Sequence, residues 1–441
     1  MKRLLPLLLC AVLALFCATT AQAAGVSITL TASEYALHYA FDAGAQDPFV
    51  ILEYTTPAEK GWMMLYSEDG HFEGDVSLAY SGAGGKTSVA LTSARTTGSI
   101  GKASTTLPKA ADYQKPTGKS NAKVTDFVLT ETPEGFHYAF NAAGTDYMLL
   151  YWRSKEQTVT QPVYPDENGH YEGDVVSELT FARTQFTVQV KSGSGSMKKE
   201  ATVRKGYQAP EAPQRQEGRL SGVTVCIDAG HQENGRFVNE PIGPGLSGST
   251  SGKGGMAQGT KTNRRESIVC LEIGMLLRDE LLRQGANVVM TREDQTTFHT
   301  NIERCEIAEA GGAQIMLRLH CNNSSNRSKR GIQVYGPLNS DYAKAVADAD
   351  TYREMGQKLL DAMKTRVGMT LANSTGMVRL NDNYVGNNWA KMMCFLVEMG
   401  YLSNPAEEYL LVTPVYQQWL AEGMADGVYE IAVARGWVQA Q

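Results

Sequence analysis

Four residues of this chain are of the right types, in the right places, to hold a metal and move a proton. His231 closes the run Val223-Thr-Val-Cys-Ile-Asp-Ala-Gly230, His320 closes Gln314-Ile-Met-Leu-Arg-Leu319, and Glu398 closes Met392-Met-Cys-Phe-Leu-Val397. Each run is short, apolar and rich in β-formers, as buried strands are, and each stops at a group able to bind or titrate. Glu266 opens the stretch to Gln284, where Ile268, Leu271, Met275 and Leu282 mark an apolar helical stripe closed by Gly285. Two imidazoles and a carboxylate are the protein ligands of a catalytic zinc, with a fourth position for water. Bound there, water has its pKa lowered to ~7 and becomes a nucleophile at neutral pH. Glu398 would then take the water's proton and pass it to a leaving nitrogen. Each residue also has an ordinary alternative. Glu266 could simply complement the helix dipole, Glu398 could be a paired buried carboxylate, and His320 could be a hydrogen-bonded core histidine.

Strands that deliver three such groups to one edge imply a sheet whose carboxyl ends face one crevice, where open α/β sheets bind ligands. Gly230 allows a tight bend just before His231. From about residue 219 strands alternate with helices: helices are expected over 266–284, 302–310 and mainly 341–367, with a last helix starting at Pro414. Further strands are expected at 287–290 and 331–335, and Asn404-Pro405 reads as a helix cap and first turn. The expected fold of residues 219–441 is a mostly parallel sheet flanked by helices. The Gly-, Ser- and Thr-dense insertion 233–263 reads as a wall of the substrate cleft. His299 lacks a partner and reads as non-catalytic.

Upstream, the chain repeats itself. Leu37-His-Tyr-Ala-Phe-Asp42 matches Phe136-His-Tyr-Ala-Phe-Asn141, and Asp69-Gly-His-Phe-Glu-Gly-Asp-Val76 matches Asn168-Gly-His-Tyr-Glu-Gly-Asp-Val175. Both pairs are offset by 99 residues (137 − 38 and 170 − 71). Short alternating stretches rich in Thr, Val and Tyr predict two tandem all-β sandwiches, at 25–107 and 124–205. A polar linker, 207–218, joins them to the last domain. His38, His71, His137 and His170 recur through duplication and read as turn exits rather than ligands. Trp62, Tyr66, Tyr151 and Trp152 read either as platforms for sugars or as sandwich core, and the repeats as wall-binding modules or spacers.

The chain's 441 residues call for several domains. Lys2 and Arg3, an apolar run from Leu4 to Cys17, and Ala21-Gln22-Ala23 read as a cleaved secretory leader over residues 1–23. Without it no apolar run is long enough to cross a bilayer, which predicts a secreted protein, extracellular or wall-associated, with no stable membrane insertion. A net charge of −6 argues against nucleic acid as partner. Cys226, Cys270, Cys305, Cys321 and Cys394 then remain, flanked by apolar residues, and read as buried free thiols.

Taken in order, Ile227-Asp-Ala-Gly-His231, Glu266, Val289-Met-Thr-Arg292, Arg304, Leu317-Arg-Leu-His-Cys-Asn322 and Phe395-Leu-Val-Glu-Met-Gly-Tyr-Leu-Ser-Asn-Pro405 resemble the zinc-dependent N-acetylmuramoyl-L-alanine amidases of bacterial cell walls. The resemblance spans roughly 220–436. It implies zinc on His231, Glu266 and His320, Glu398 as acid/base, and substrate-facing roles for Arg292, Asn322 and Asn404. The substrate implied is peptidoglycan, cut between N-acetylmuramic acid and L-alanine. The sequence departs from the family's pattern where Gln232 follows His231, and where Leu-Arg-Leu-His-Cys-Asn replaces Ser-Ile-His-Ala-Asn. Two rival readings are a zinc peptidase acting within the stem peptide and an inactive wall-binding or regulatory protein.

Overall fold

The structure, a computed structural model, describes residues 19–22, 25–132, 135–154, 157–176, 185–204, 209–232, 238–250, 255–368 and 377–440. Of the expected leader, only residues 19–22 fall within this range.

The N-terminal half is all β. Its first block holds β1 (Thr19–Gln22), β2 (Ser27–Ser33), β3 (Ala36–Asp42), β4 (Phe49–Thr55), β5 (Glu59–Tyr66), β6 (His71–Ser77), β7 (Gly85–Ser93) and β8 (Ser99–Leu107). The second holds β9 (Val124–Thr132), β10 (Gly135–Ala142), β11 (Met148–Arg153), β12 (Gln157–Val163), β13 (His170–Val176), β14 (Gln185–Lys191) and β15 (Met197–Arg204). In the first block β2, β3 and β6 form one layer, with β1 on its edge; in the second, β9, β10 and β13 do so. The remaining strands run in the order β15-β14-β11-β12-β5-β4-β7-β8, a single eight-stranded sheet. Residues alternate along these strands as a half-buried sheet requires. Val50, Leu52 and Tyr54 face one core with Phe41 and Phe72; Leu150, Trp152 and Val188 face a second with Phe140 and Tyr171. Stacked rings tie the layers, Phe41 on Phe72 at 4.9 Å and Phe140 on Tyr171 at 4.5 Å between centroids.

The two blocks are not simply strung in tandem. Antiparallel pairing of Gln157–Val159 with Glu59–Gly61 fuses their four-stranded layers. An edge strand presents unpaired N–H and C=O groups, and β5 and β12 satisfy each other's.

The C-terminal half comprises β16 (Thr224–Ala229), α1 (Glu266–Arg283), β17 (Asn287–Met290), α2 (Asn301–Ala310), β18 (Ile315–Asn322), β19 (Gln333–Gly336), α3 (Asp341–Val346), α4 (Ala349–Val367), β20 (Met377–Leu380), α5 (Val385–Trp389), β21 (Met393–Tyr401), α6 (Glu407–Leu410) and α7 (Pro414–Ala434). The sheet runs β17-β16-β18-β21-β19-β20 and is parallel except where β19 meets β21. On one face Val225, Ile227, Leu317 and Val397 pack under α1, α4 and α7; on the other Cys226, Met316 and Cys394 pack under α2. Among the described residues the five cysteines, Cys226, Cys270, Cys305, Cys321 and Cys394, are buried and free. The helix expected over 341–367 divides at Ala347, because the Asp348 side chain caps α4 by accepting from Thr351 N. Neither β20 nor α5 was expected. The first is four residues long, and the second contains Gly386, Asn387 and Asn388, poor helix formers held by tertiary hydrogen bonds to the Tyr335, Ile242 and Asp382 carbonyls.

The first β block docks on this domain. Phe49 and Ile51 belong to the C-terminal core cluster, with Trp62, Met64 and Tyr66 packed against it. Phe49 and Tyr66 meet Trp419 at 5.5 and 5.3 Å, and Trp62 meets Tyr409 at 4.9 Å between ring centroids. Trp62 and Tyr66 therefore serve a domain interface, while Trp152 is sandwich core and Tyr151 lies under the Lys191 ammonium. Among the described residues no helix is long and apolar enough to cross a membrane.

Candidate metal centre

Register places the four chemical residues at one sheet edge. Ala229 of β16 faces Leu319 of β18, and His320 faces Glu398 of β21. The β16–β18 pairing continues one step beyond Ala229, with Gly230 N donating to Leu319 O at 2.9 Å. A Cβ at Gly230 would stand 2.5 Å from that oxygen and 2.6 Å from the His320 ring, so only glycine fits there. His231 follows with φ of 58°, left-handed backbone that a histidine adopts only when its surroundings compel it.

Glu266, the first residue of α1, stands between the two imidazoles. Its Oε1 lies 3.1 Å from His231 Nε2 and 2.9 Å from His320 Nδ1. The histidine rings are 4.9 Å apart and nearly perpendicular, at 79°. One ligand atom from each of the three residues lies within 4.8 Å of the other two. The carboxylate is fixed from behind by Ala257 N on Oε2 at 2.7 Å and Cys321 N on Oε1 at 3.1 Å. Burial opposes its charge, yet hydrogen bonds and charge from His231 and His320 hold its carboxyl well below the usual carboxylate range. Burial pushes the His320 imidazole down, against the pull of Glu266, and so favours the neutral form that can ligate a metal. For Glu398, burial and then the nearby Glu266 charge push the carboxyl well above its ordinary value. Its Oε2 is buried without a hydrogen-bond partner among the described residues. A structural ion pair would have satisfied that oxygen; a proton acceptor must keep one available.

Beneath the centre sits a buried charge network that the sequence motifs did not expose. Asp228, fully buried, accepts from Thr291 Oγ1, Arg304 and Arg318. Its burial is outweighed by the two guanidinium groups, which hold its carboxyl below the ordinary range. Arg304 also donates to the Ala229 and His231 carbonyls and to Gln232 Oε1. The available signals were Asp228 and Arg318, opposite charges inside otherwise apolar strands, each of which needs a partner.

Arg292, expected to face substrate, is instead 3% exposed and donates to the carbonyls of Ala229, Gly230, Ser267 and Asp294. Burial, and then Arg304 nearby, lower its guanidinium to about 10. It acts as a backbone clamp. Asn404, at 6% exposure, also turns inward: Oδ1 accepts from Ala406 N and Glu407 N, while Nδ2 donates to the Arg327 and Lys329 carbonyls. Asn322 is half-buried, donates to Gln333 Oε1, and sits one strand from the register position of Glu398. The cleft insertion is better anchored than its composition suggested. Glu240 accepts from the first N–H groups of α2, and Glu408 from Lys261 N and Thr262 N; residues 233–237 and 251–254 lie outside the described range. His38, His71, His137 and His170 each bond a carboxylate or amide side chain at the strand surface.

Residues 225–430 match the family described as N-acetylmuramoyl-L-alanine amidase. The germination-specific N-acetylmuramoyl-L-alanine amidase of Bacillus subtilis is 26% identical over 231 residues, 49% of this chain and 83% of that protein. The "Probable cell wall amidase LytH" of Staphylococcus aureus is 27% identical over 218 residues, and the chain spans 60% of its length. Among solved structures, an N-acetylmuramoyl-L-alanine amidase from Clostridium difficile 630 aligns at 25% identity with a TM-score of 0.38, over 48% of this chain and 96% of that one.

Proposed function

We propose that this protein, whose C-terminal half is an N-acetylmuramoyl-L-alanine amidase domain, is a peptidoglycan hydrolase that cleaves the amide between the lactyl carboxyl of N-acetylmuramic acid and L-alanine. The observation that carries the reading is the convergence of two imidazole nitrogens and one carboxylate oxygen within 4.8 Å, with the unpartnered Oε2 of Glu398 one strand away.

That donor set suits zinc: two neutral imidazoles and one carboxylate are a common catalytic set for it and leave a fourth position open. Zinc bound there polarises the amide carbonyl and lowers the pKa of water for attack. His231, Glu266 and His320 would hold it. Glu266, held from behind by Ala257 N and Cys321 N, would keep its ligand oxygen aimed at the two rings. Glu398, its carboxyl pushed up by burial and then by Glu266, would accept the proton of the attacking water on its carboxylate and deliver it to the leaving alanine nitrogen. Arg292 and Arg304 hold the 229–231 backbone so that the imidazole of His231 stays over Glu266.

The upstream blocks are read as two copies of one sandwich, bounded at about 25–107 and 124–205, on the strength of the 99-residue offset and the matching strand orders. The domain after the linker begins near 219. The leader reading, Lys2 and Arg3 ahead of an apolar run, supports secretion to the wall.

Digestion of purified peptidoglycan tests the reaction. Mass spectrometry should find glycan ending in free lactyl groups and peptide with a free N-terminal alanine. Cuts only within the stem peptide, or no release at all, would dismiss it.

A further inference from the structure

The fused sheet of the two β blocks presents an unbroken row of side chains on its outer face. Pairing register defines the row. In the first block Ser104 faces Ser88, Ser88 faces Thr55, and Thr55 faces Lys60. Lys60 faces Thr158 across the block boundary, and the row continues through Arg153, Thr187 and Thr202. The inward neighbours of these residues, such as Val89, Tyr54, Val159 and Trp152, are core, which fixes the row as outward. Every position is a hydroxyl or a cation, in a chain that carries more carboxylates than bases overall. With strands about 4.8 Å apart, eight strands make a track of about 34 Å.

Three further features give the track a ligand class and a place beside the catalytic domain. Adjoining rows add Lys86 and Lys102 around a groove of about 710 Å³ that also holds Glu53, and Glu200 stands beside Thr202 at the far edge, bonded by Gln189. The opposite outer face of the sandwich is acidic: Asp42, Glu73 and Asp75 in the first block and Glu172 and Asp174 in the second are all more than half exposed. An anionic polymer therefore has one face to choose. On that same face, farther along β4 and β5, Phe49, Ile51, Met64 and Tyr66 seat the catalytic domain. A chain lying along the track crosses β4 and β5 at Thr55 and Lys60 and so passes beside the domain seated farther along those strands.

We infer that this hydroxyl-and-cation track binds the glycan strand of peptidoglycan, its sugar hydroxyls meeting the Ser and Thr side chains and its peptide carboxylates meeting Lys60 and Arg153. The inference rests on the amidase reading only for the choice of polymer. Hydroxyl rows and sugars give up hydrogen bonds to water and regain them with each other, directly or through a bridging water, so the exchange is nearly even. Exposed cations add attraction and orientation more than raw affinity.

The test is retention of the full chain, carrying Glu398→Gln so that the matrix stays intact, on sacculi stripped of phosphate polymers by hydrofluoric acid. K60E with R153E should weaken retention about tenfold, as loss of two oriented charge contacts does. Asp75→Lys with Asp174→Lys, equal in size of charge change but on the acidic face, should not weaken it. Should the double reversal lower the melting temperature, Thr158→Glu at the centre of the row repeats the test. Unchanged retention in a folded K60E/R153E protein overturns the inference. So does wild-type retention that vanishes when the phosphate polymers are stripped, or equal weakening by the acidic-face pair. Retention is read independently of which bond is cut, so failure here and failure of the amidase reading are distinct.

Discussion

Arg304 donates to the carbonyl of His231 at 3.1 Å while its other nitrogen engages Asp228, so one guanidinium ties a buried carboxylate to a residue in left-handed backbone. The imidazole proposed as a metal ligand is thus held by a charge network on the far face of the sheet. Arg304→Met should leave Asp228 with Arg318 as its one cationic partner beside the Thr291 hydroxyl, and release the His231 backbone. Expected are a loss of roughly 3–5 kcal/mol in stability, as when a buried pair is broken, and weaker zinc retention under dialysis. Arg304→Lys should recover much of the stability but less of the zinc retention, because an ammonium cannot span the Asp228 carboxylate and two carbonyls at once. Equal recovery of both would mean that Arg304 acts on folding alone.

Ligand and proton carrier separate by metal content. His231→Ala, Glu266→Ala and His320→Ala should each purify with much less zinc. Glu398→Gln should keep its zinc and melt no lower than wild type, since it removes a buried carboxylate with an unpartnered oxygen. Its turnover of peptidoglycan should fall by ~100- to 10,000-fold, the usual span of general acid–base catalysis. Full activity in folded Glu398→Gln would remove it from the mechanism.

Glu407 provides a pH signature distant from the metal ligands in sequence. Burial pushes its carboxyl from 4.5 up to about 7, against hydrogen bonds from Tyr401 N and Gly331 N. Between those values the unfolded chain releases a proton that the folded one retains, so stability falls as pH rises from 4.5 toward 7. The full effect is about 3 kcal/mol. Glu407→Gln lacks this term. Whatever its constant offset, its melting temperature should rise relative to wild type as pH increases through that window. Parallel melting curves across pH would show that Glu407 is already ionised.

The interface between β block and catalytic domain should be cooperative. Phe49 is 1% exposed and packs against Tyr416 and Trp419. Phe49→Ala should cost about 3–5 kcal/mol, the range for buried Phe truncation, and split a joint calorimetric transition into two. A single transition shifted as a unit would place the loss inside the β block instead.

The sequence by itself pointed to the candidate chemistry and determined much of the secondary structure. His231, His320 and Glu398 were legible because each ends an apolar strand-length run, and Glu266 because it starts an amphipathic helix. Strand and helix periodicity is local, so it survives in one dimension. The 99-residue offset between matching motifs was legible for the same reason. What tertiary structure decided depends on partners distant in sequence. Arg292 and Asn404 stood in motif-like surroundings, yet their side chains go to backbone carbonyls and amides that only the fold brings near. Trp62 and Tyr66 gave no sign of facing Tyr409 and Trp419, more than 300 positions away. The pairing of β5 with β12 was equally hidden, because the edges of two sheets are open to many partners until packing excludes the others.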